Sequence, residues 1–355
     1  MNNGLFIHTI RCISGFLFSI LFIWLISYCF LDTIPTYEFD PQLDRYINTP
    51  GSIHRHRSEG WAITKIGKYG IMGISDITKV NNPKVAFWGD SYVEGFNIDD
   101  DKKMEHIFTN LCRSNDNMKD IVGFGIGNSY DNIANYYFGI PKYEKIIPGI
   151  IAHYLIITNI KDILPDLGER RSVFTSKPVY QFINIDWKPP GLAIRNILRK
   201  YELSFLWDIL KAMKGINLRF IPGPLSSSDL TGEESPEIDE PSSLWSFVTE
   251  KISDQTNLPI TIVYCPMVPK IENGATIYAE KDKYASMWRA FAEQCKKNNI
   301  DVIDMSNIFI EYYRNTGHLP RGFPNSFPGE GHMNADGHRL VAETIFNYMR
   351  NMRLR

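Results

Sequence analysis

A serine set directly after an apolar run, and a histidine in a glycine-rich loop far downstream, are the residues of this 355-residue chain best placed for covalent chemistry. The serine is Ser91 in "KVAFWGDSYVEG" (Lys84 to Gly95), where Val85 to Trp88 read as a strand and Gly89-Asp90 as a turn. A hydroxyl at the carboxyl end of a strand in a parallel sheet faces the crevice where ligands bind, but it attacks a carbonyl only when a neighbouring base takes its proton. The candidate base is His332 in "NSFPGEGHMNADGHRLVAE" (Asn325 to Glu343), on a Pro/Gly-rich loop ahead of the last helical pattern. Each residue alone also fits a turn serine or a capping histidine; together, on strand-end loops, they suggest nucleophile and base. Asp90 is expected to brace the turn through local hydrogen bonds. His338, inside the following helix, and His153, inside an apolar run, are expected to be structural.

The elements that must position this pair are legible as alternating patterns. Short apolar runs at Val85 to Trp88, Ile121 to Phe124, Ile150 to Ile157, Ile260 to Cys265 and Val302 to Met305 read as strands. Helical patterns fall near Lys102 to Arg113, Asp131 to Lys145, Ile277 to Lys297 and Ala335 to Asn351. That alternation predicts an α/β fold, a central parallel flavodoxin-like sheet covered by helices on both faces in a three-layer α/β/α sandwich. An insertion at about residues 165–245 separates the third and fourth strands. It holds a helical stripe, Ile194, Ile197, Leu198, Tyr201, Phe205, Ile209 and Met213, stopped at Gly215 and expected to pack in the core. The acidic stretch Gly223 to Ser243 is expected to be a surface loop. Before the sheet, residues 32–82 look irregular. "HRHR" (His54 to Arg57) reads as a solvated loop, and the glycine-punctuated alternation from Gly60 to Gly73 as a short hairpin.

Four blocks of this domain resemble the SGNH (GDSL-like) hydrolase superfamily. "VAFWGDSYVEG" is similar to its first block, "IVGFGIGNSYDN" (Ile121 to Asn132) to its second, "IIAHYLIITNIKDI" (Ile150 to Ile163) to its third and "GEGHMNADGHRLVAE" to its last. The resemblance spans Lys84 to Asn351. It implies Ser91 as nucleophile, His332 as base, and an oxyanion hole built from the Ser91 amide, the Gly127 or Asn128 amide and the Asn159 side chain. Three departures stand out: Asn128 sits where the family has glycine, Ile160 follows Asn159 where aspartate is usual, and Gly329 replaces the aspartate three residues before the histidine. Glu330, two residues before His332, is therefore the candidate third member. The implied reaction is acyl transfer through a Ser91 acyl-enzyme, with removal of O-acyl groups, O-acetyl above all, from a carbohydrate or envelope polysaccharide. The alternatives are an O-acetyltransferase working with a membrane acyl-donor protein and a non-catalytic carbohydrate-binding protein of the same fold. Trp88, Tyr92 or Tyr130 could stack on sugar rings, or serve as wall and core residues.

Composition narrows the partners. Lys plus Arg (38) nearly balance Asp plus Glu (40), so no overall positive field recommends a nucleic acid. The stretch Cys12 to Leu31 carries no charge and is long enough to cross a bilayer; it is expected to anchor the protein, with a cleaved signal peptide as the alternative. Arg11 precedes the span and acidic residues follow it, which places residues 1–11 in the cytoplasm and residues 83–355 on the periplasmic or extracellular side. Of the five cysteines, Cys112, Cys265 and Cys295 lie outside the span and form no disulfide framework. No metal-ligand spacing occurs and no cofactor is expected.

Overall fold

The structure is a computed structural model and describes residues 3–129, 131–163, 172–174, 180–184, 187–215, 241–272, 277–279, 282, 284–326 and 328–353. It opens with α1 (Asn3–Phe30), whose segment Phe6–Phe30 is long and apolar enough to cross a membrane. α1 begins nine residues before the expected span, because the polar first turn continues the same helix.

Two antiparallel hairpins follow. β1 (Tyr37–Asp40) pairs with β2 (Arg45–Asn48), and β3 (Ile53–His56) pairs with β4 (Ala62–Lys65). This corrects two expectations. "HRHR" is mostly strand: His54 is buried and stacked on Phe96, while the Arg55 guanidinium lies 4.1 Å over the Tyr28 ring and bonds Glu202. Planar guanidinium and imidazole groups pack on aromatic faces in a way a solvated loop would waste. The alternation after Gly60 pairs backward with β3, leaving only the bridge Ile66 to Met72 within the expected hairpin.

The sheet then builds from β5 (Lys84–Gly89), β6 (Val122–Gly127), β7 (Ile150–Ile157), two outlying strands β8 (Ser172–Phe174) and β9 (Phe182–Asn184) that pair only with each other, and β10 (Ile260–Tyr264). A further small hairpin, β11 (Lys270–Glu272) with β12 (Ile277–Ala279), precedes the last sheet strand, β13 (Asp301–Asp304). All ladders of the five-stranded sheet are parallel, in the order β13-β10-β7-β5-β6. Read from the β6 edge this is the 2-1-3-4-5 flavodoxin-like order, with its switch point beside β5, between β5 and β7.

Strand alternation sorts side chains to two cores. Ala86 and Trp88 enter the layer of α4 (Ile133–Ile146), α7 (Pro241–Ser253) and α8 (Ala285–Lys297). Val85 and Phe87 enter that of α3 (Met104–Arg113), α9 (Ser306–Thr316) and α10 (Ala335–Arg353). Trp88 donates its indole N–H to His153 Nδ1 at 3.0 Å, and His153 Nε2 meets Glu144, so this buried histidine serves the core. Cys112, Cys265 and Cys295 are buried and unbridged.

The insertion departs from expectation. Its stripe forms two helices, α5 (Leu192–Lys200) and α6 (Ser204–Gly215), broken where Glu202 takes a positive φ of 53°. Ile194, Ile197, Tyr201 and Ile209 stand 52%, 58%, 59% and 51% exposed, outside any core. Among the stripe residues whose side chains are described, only Leu198 is buried. Most of Gly223 to Ser243, and Tyr130, lie outside the described residues.

Candidate active site

Ser91 is the first residue of a single-turn helix, α2 (Ser91–Glu94), that starts as β5 ends. The turn between them is tight: a Cβ on Gly89 would lie 2.3 Å from Val93 Cγ2. The Asp90 carboxylate accepts from the Tyr92 N–H at 3.0 Å and caps the turn, as its position suggested. Gly95 closes the turn in the left-handed region, φ 57°, with its N–H on the Ser91 carbonyl. The Ser91 N–H, at the first position of its helix, has no acceptor within that helix.

His332 arrives from the other end of the chain on a loop fixed from behind. Arg321, 2% exposed, donates to the carbonyls of Cys265, Pro266 and Gly331. The Tyr92 hydroxyl also donates to the Gly331 carbonyl at 3.0 Å, and its ring packs 4.9 Å from the imidazole. Asn334 accepts from the N–H groups of Asp336 and Gly337, starting α10 immediately after the histidine. His332 Nε2 then lies 2.9 Å from Ser91 Oγ.

The carboxylate in contact with His332 is not that of Glu330. That side chain is exposed, while His332 Nδ1 lies 2.6 Å from Glu59 Oε2 and the His332 backbone N–H donates to Glu59 Oε1 at 2.8 Å. A carboxylate on Nδ1 holds the proton there and turns the Nε2 lone pair toward the serine hydroxyl. Burial alone would raise the Glu59 pKa, but the hydrogen bonds and charge of His332 outweigh it and hold the carboxyl below its ordinary 4.5. The approach demands glycine at 331: a Cβ there would lie 2.3 Å from Glu59 Oε1, and φ is 73°.

Glu59 sits in the loop joining β3 to β4, 273 residues from His332, and that loop is bound on three sides. Asn97 Nδ2 donates to the Glu59 carbonyl, and Asn325 both accepts from the Gly60 N–H and donates to the Gly60 and Arg57 carbonyls. Asp32, two residues beyond α1, accepts from the backbone N–H groups of Arg57 and Ser58 and from the Ser58 hydroxyl. Arg57 Nε donates to the Cys29 carbonyl, and Trp61 meets Phe30 edge-on at 6.0 Å. The chain leaving the apolar helix thus holds the loop that carries Glu59, through Arg57, Ser58 and Trp61.

At the ends of β6 and β7 the expected oxyanion donors are placed differently. The Asn128 N–H donates to the Gly89 carbonyl at 3.3 Å, extending the β5-β6 ladder, so this amide is already engaged. Gly127 stands opposite Gly89 in that ladder, and a Cβ on it would lie 2.0 Å from the Glu94 nitrogen. Asn159 follows β7, the other neighbour of β5, and its half-buried side chain lies on the same sheet edge as Ser91. Its backbone N–H is held by Asp162 at 3.1 Å. Burial raises both carboxyls behind this edge, Asp90 to about 6 and Asp162 well above its ordinary value, with the Asp90 charge adding to the latter. His338 is buried in α10 and accepts from the Met104 N–H at 3.2 Å, starting α3. Trp88 and Tyr92 are buried, as walls of the core and loop. Among the described residues no cluster of His, Cys, Asp and Glu could hold a metal.

No protein-family model matches the sequence, and no curated protein matches it. Among solved structures, the chain is similar to the crystal structure of an acetyl xylan esterase, at 15% identity and a TM-score of 0.37, over 75% of this chain and 98% of the other. It is also similar to an alpha/beta hydrolase enzyme from the metagenome of Lake Arreo, Spain, at 9% identity and a TM-score of 0.35, over 77% of this chain and 97% of the other.

Proposed function

We propose that the chain is a serine ester hydrolase of the SGNH type in which Ser91 is the nucleophile, His332 the base and Glu59 the orienting acid. The observation that carries this reading is the continuous relay from Glu59 Oε2 through the two ring nitrogens of His332 to Ser91 Oγ, with steps of 2.6 and 2.9 Å. His332 Nε2 accepts the hydroxyl proton as Ser91 Oγ bonds to the ester carbonyl carbon. The imidazolium, paired with Glu59, then returns that proton to the departing alcohol oxygen. The tetrahedral oxyanion is held by the Ser91 N–H and the Asn159 side chain, each such donor being worth about 10² to 10³ in turnover. Water, deprotonated by the same histidine, attacks the acyl-serine and releases the acid. Asn128 contributes through packing, its amide being spent on Gly89.

The substrate follows from the resemblance of the four sequence blocks: a small O-acyl group, O-acetyl foremost, on a carbohydrate. α1 anchors the protein, with the sheet domain on the outer side of the membrane. A completed relay favours catalysis over a purely binding role, because a carboxylate, an imidazole and a hydroxyl need no such alignment to hold a sugar. Incubating the full chain in nanodiscs with a chromogenic acetate ester, quenching rapidly and sequencing peptides by mass spectrometry tests the reading. An acetyl group on Ser91, absent in His332→Ala, is expected. Turnover that persists in Ser91→Ala would sink it.

A further inference from the structure

The exposed faces of α5 and α6 need an occupant, since their apolar residues were patterned for burial and the sheet domain does not bury them. Their place in the fold identifies it. The Phe205 N–H, at the start of α6, donates to Ser27 Oγ in the last turn of α1, and Ser27 is 2% exposed beneath it. The hinge between the two helices reaches the same level: Glu202 bonds Arg55, whose guanidinium lies over Tyr28 of α1. On the other side Trp61, 58% exposed, touches Phe30 and carries the Arg57 guanidinium 4.3 Å above its ring.

That level can be set against a bilayer. With Arg11 at the inner boundary, the uncharged residues Cys12 to Phe30 make about 28 Å of helix, against about 30 Å of hydrocarbon, so the final turn ends where the hydrocarbon meets the headgroup layer. The side chains gathered there are those that favour the layer: a tryptophan and a tyrosine with exposed rings, arginines with stacked stems, and isoleucines on one helical face. Ile194, Ile197 and Tyr201 recur at i, i+3 and i+7 along α5, flanked by Arg195 and Lys200, while Arg199 turns inward to Glu202 and the Ile53 carbonyl.

We infer that α5 and α6 form an amphipathic hairpin lying in the headgroup layer of the bilayer that α1 spans, a second membrane contact beside the anchor. The occupant of the exposed face is lipid, and the basic residues flanking it meet anionic headgroups. The hairpin and the Trp61 loop grip the outer end of α1 from two sides, so the sheet domain is held against the surface rather than tethered loosely above it. This rests on reading α1 as the membrane span, and is independent of the chemistry at Ser91.

Depth-dependent quenching tests it in the full chain reconstituted in nanodiscs of mixed phosphatidylcholine and phosphatidylglycerol. In a Cys12→Ser, Cys29→Ser background the remaining cysteines are buried, and bimane is placed singly at Leu21→Cys in α1, Ile197→Cys, Ile209→Cys and Glu311→Cys on the exposed side of α9. A lipid spin-labelled near its headgroup should quench positions 197 and 209 by about twofold or more and leave 311 unaffected, while a lipid labelled deep in its acyl chain quenches position 21. Positions 197 and 209 behaving like 311, with 21 still quenched, would overturn the hairpin while leaving the anchor. Loss of quenching at 21 as well would overturn both. Far-ultraviolet circular dichroism and an unchanged melting temperature confirm that each labelled protein is folded.

Discussion

Two regions meet at the candidate site, and they were built by different rules. The carboxyl edge of the parallel sheet brings Ser91, Asn159 and His332 together because each follows a strand or precedes a helix in a regular α/β alternation. The segment between α1 and β5 has no such regularity, yet it delivers Glu59 at the tip of a hairpin whose strands face the end of the apolar helix. A sheet edge supplies the reacting groups from rigid ladders. A strapped loop supplies the carboxylate proposed to orient them, and its placement rests on many single hydrogen bonds.

The contrast between the two glutamates gives the largest expected effect. Glu59→Gln should lower kcat by about 10³ to 10⁴ with little change in KM, since the loss falls on the transition state. Glu330→Gln should stay within about twofold of the parent, as a surface substitution away from the relay. Steady-state kinetics on a chromogenic acetate ester distinguish them, and a large Glu330 effect would return the acid to the histidine's own loop.

Two glycines sharpen the same point. Gly331 and Gly317 have the same φ, 73°, but a Cβ at 331 would strike the Glu59 carboxylate while one at 317 meets nothing within 4 Å. Gly331→Ala should cost about 10² in kcat by displacing the carboxylate from His332. Gly317→Ala should cost only about 1 to 2 kcal/mol of stability, from the left-handed backbone alone, and leave kcat unchanged. Equal effects on kcat would mean that contact with Glu59 is not what makes Gly331 special.

The strap itself should matter less, because Asn97 and Asn325 also hold the loop. Asp32→Ala is expected to reduce kcat by about tenfold with KM unchanged, and Asp32→Asn, which keeps an acceptor for the Arg57 and Ser58 amides, to restore most of it. Should both variants match the parent, the end of α1 would not position the acid.

The smallest effect concerns stability and pH. Burial, with the positive charges of Arg199 and Lys103 respectively, pulls His54 and His338 down to about 3 from 6.5. Both are neutral in the folded protein and take up protons on unfolding below pH 6.5, so stability is full above that pH and falls as pH drops toward 3. Replacing His338 with asparagine, which can still accept from the Met104 N–H, should flatten this slope in thermal unfolding measured across pH 4 to 7. An unchanged slope would mean that His338 is already charged in the native state.

How much of this was legible follows the same division. The five strands and their faces could be read because apolar runs of strand length alternate with helical stripes, and Ser91 and His332 inherit their places from those elements. Glu59 could not be read from spacing. A search near the histidine finds Glu330, whereas the true neighbour lies 273 residues away in a loop flanked by turn residues. The one local trace is a pair of glycines, Gly60 and Gly331, each beside a member of the pair and each with a positive φ. The stripe of α5 and α6 misled for a different reason: apolar periodicity reports that a face will be covered, and does not say by what. Which of Gly127 and Asn128 has a free amide could not be read, since the ladder runs to Gly127, three residues past the apolar run that ends at Phe124, and the Asn128 N–H then bonds the Gly89 carbonyl.

The most direct test of the central claim, that Glu59 acts through His332, is a double-mutant cycle on kcat in the full chain. If the two form one relay, Glu59→Gln should cost about 10³ to 10⁴ in the parent and almost nothing once His332→Ala has been made. Losses that multiply would contradict it, and would mean that Glu59 serves the structure or substrate independently of the histidine.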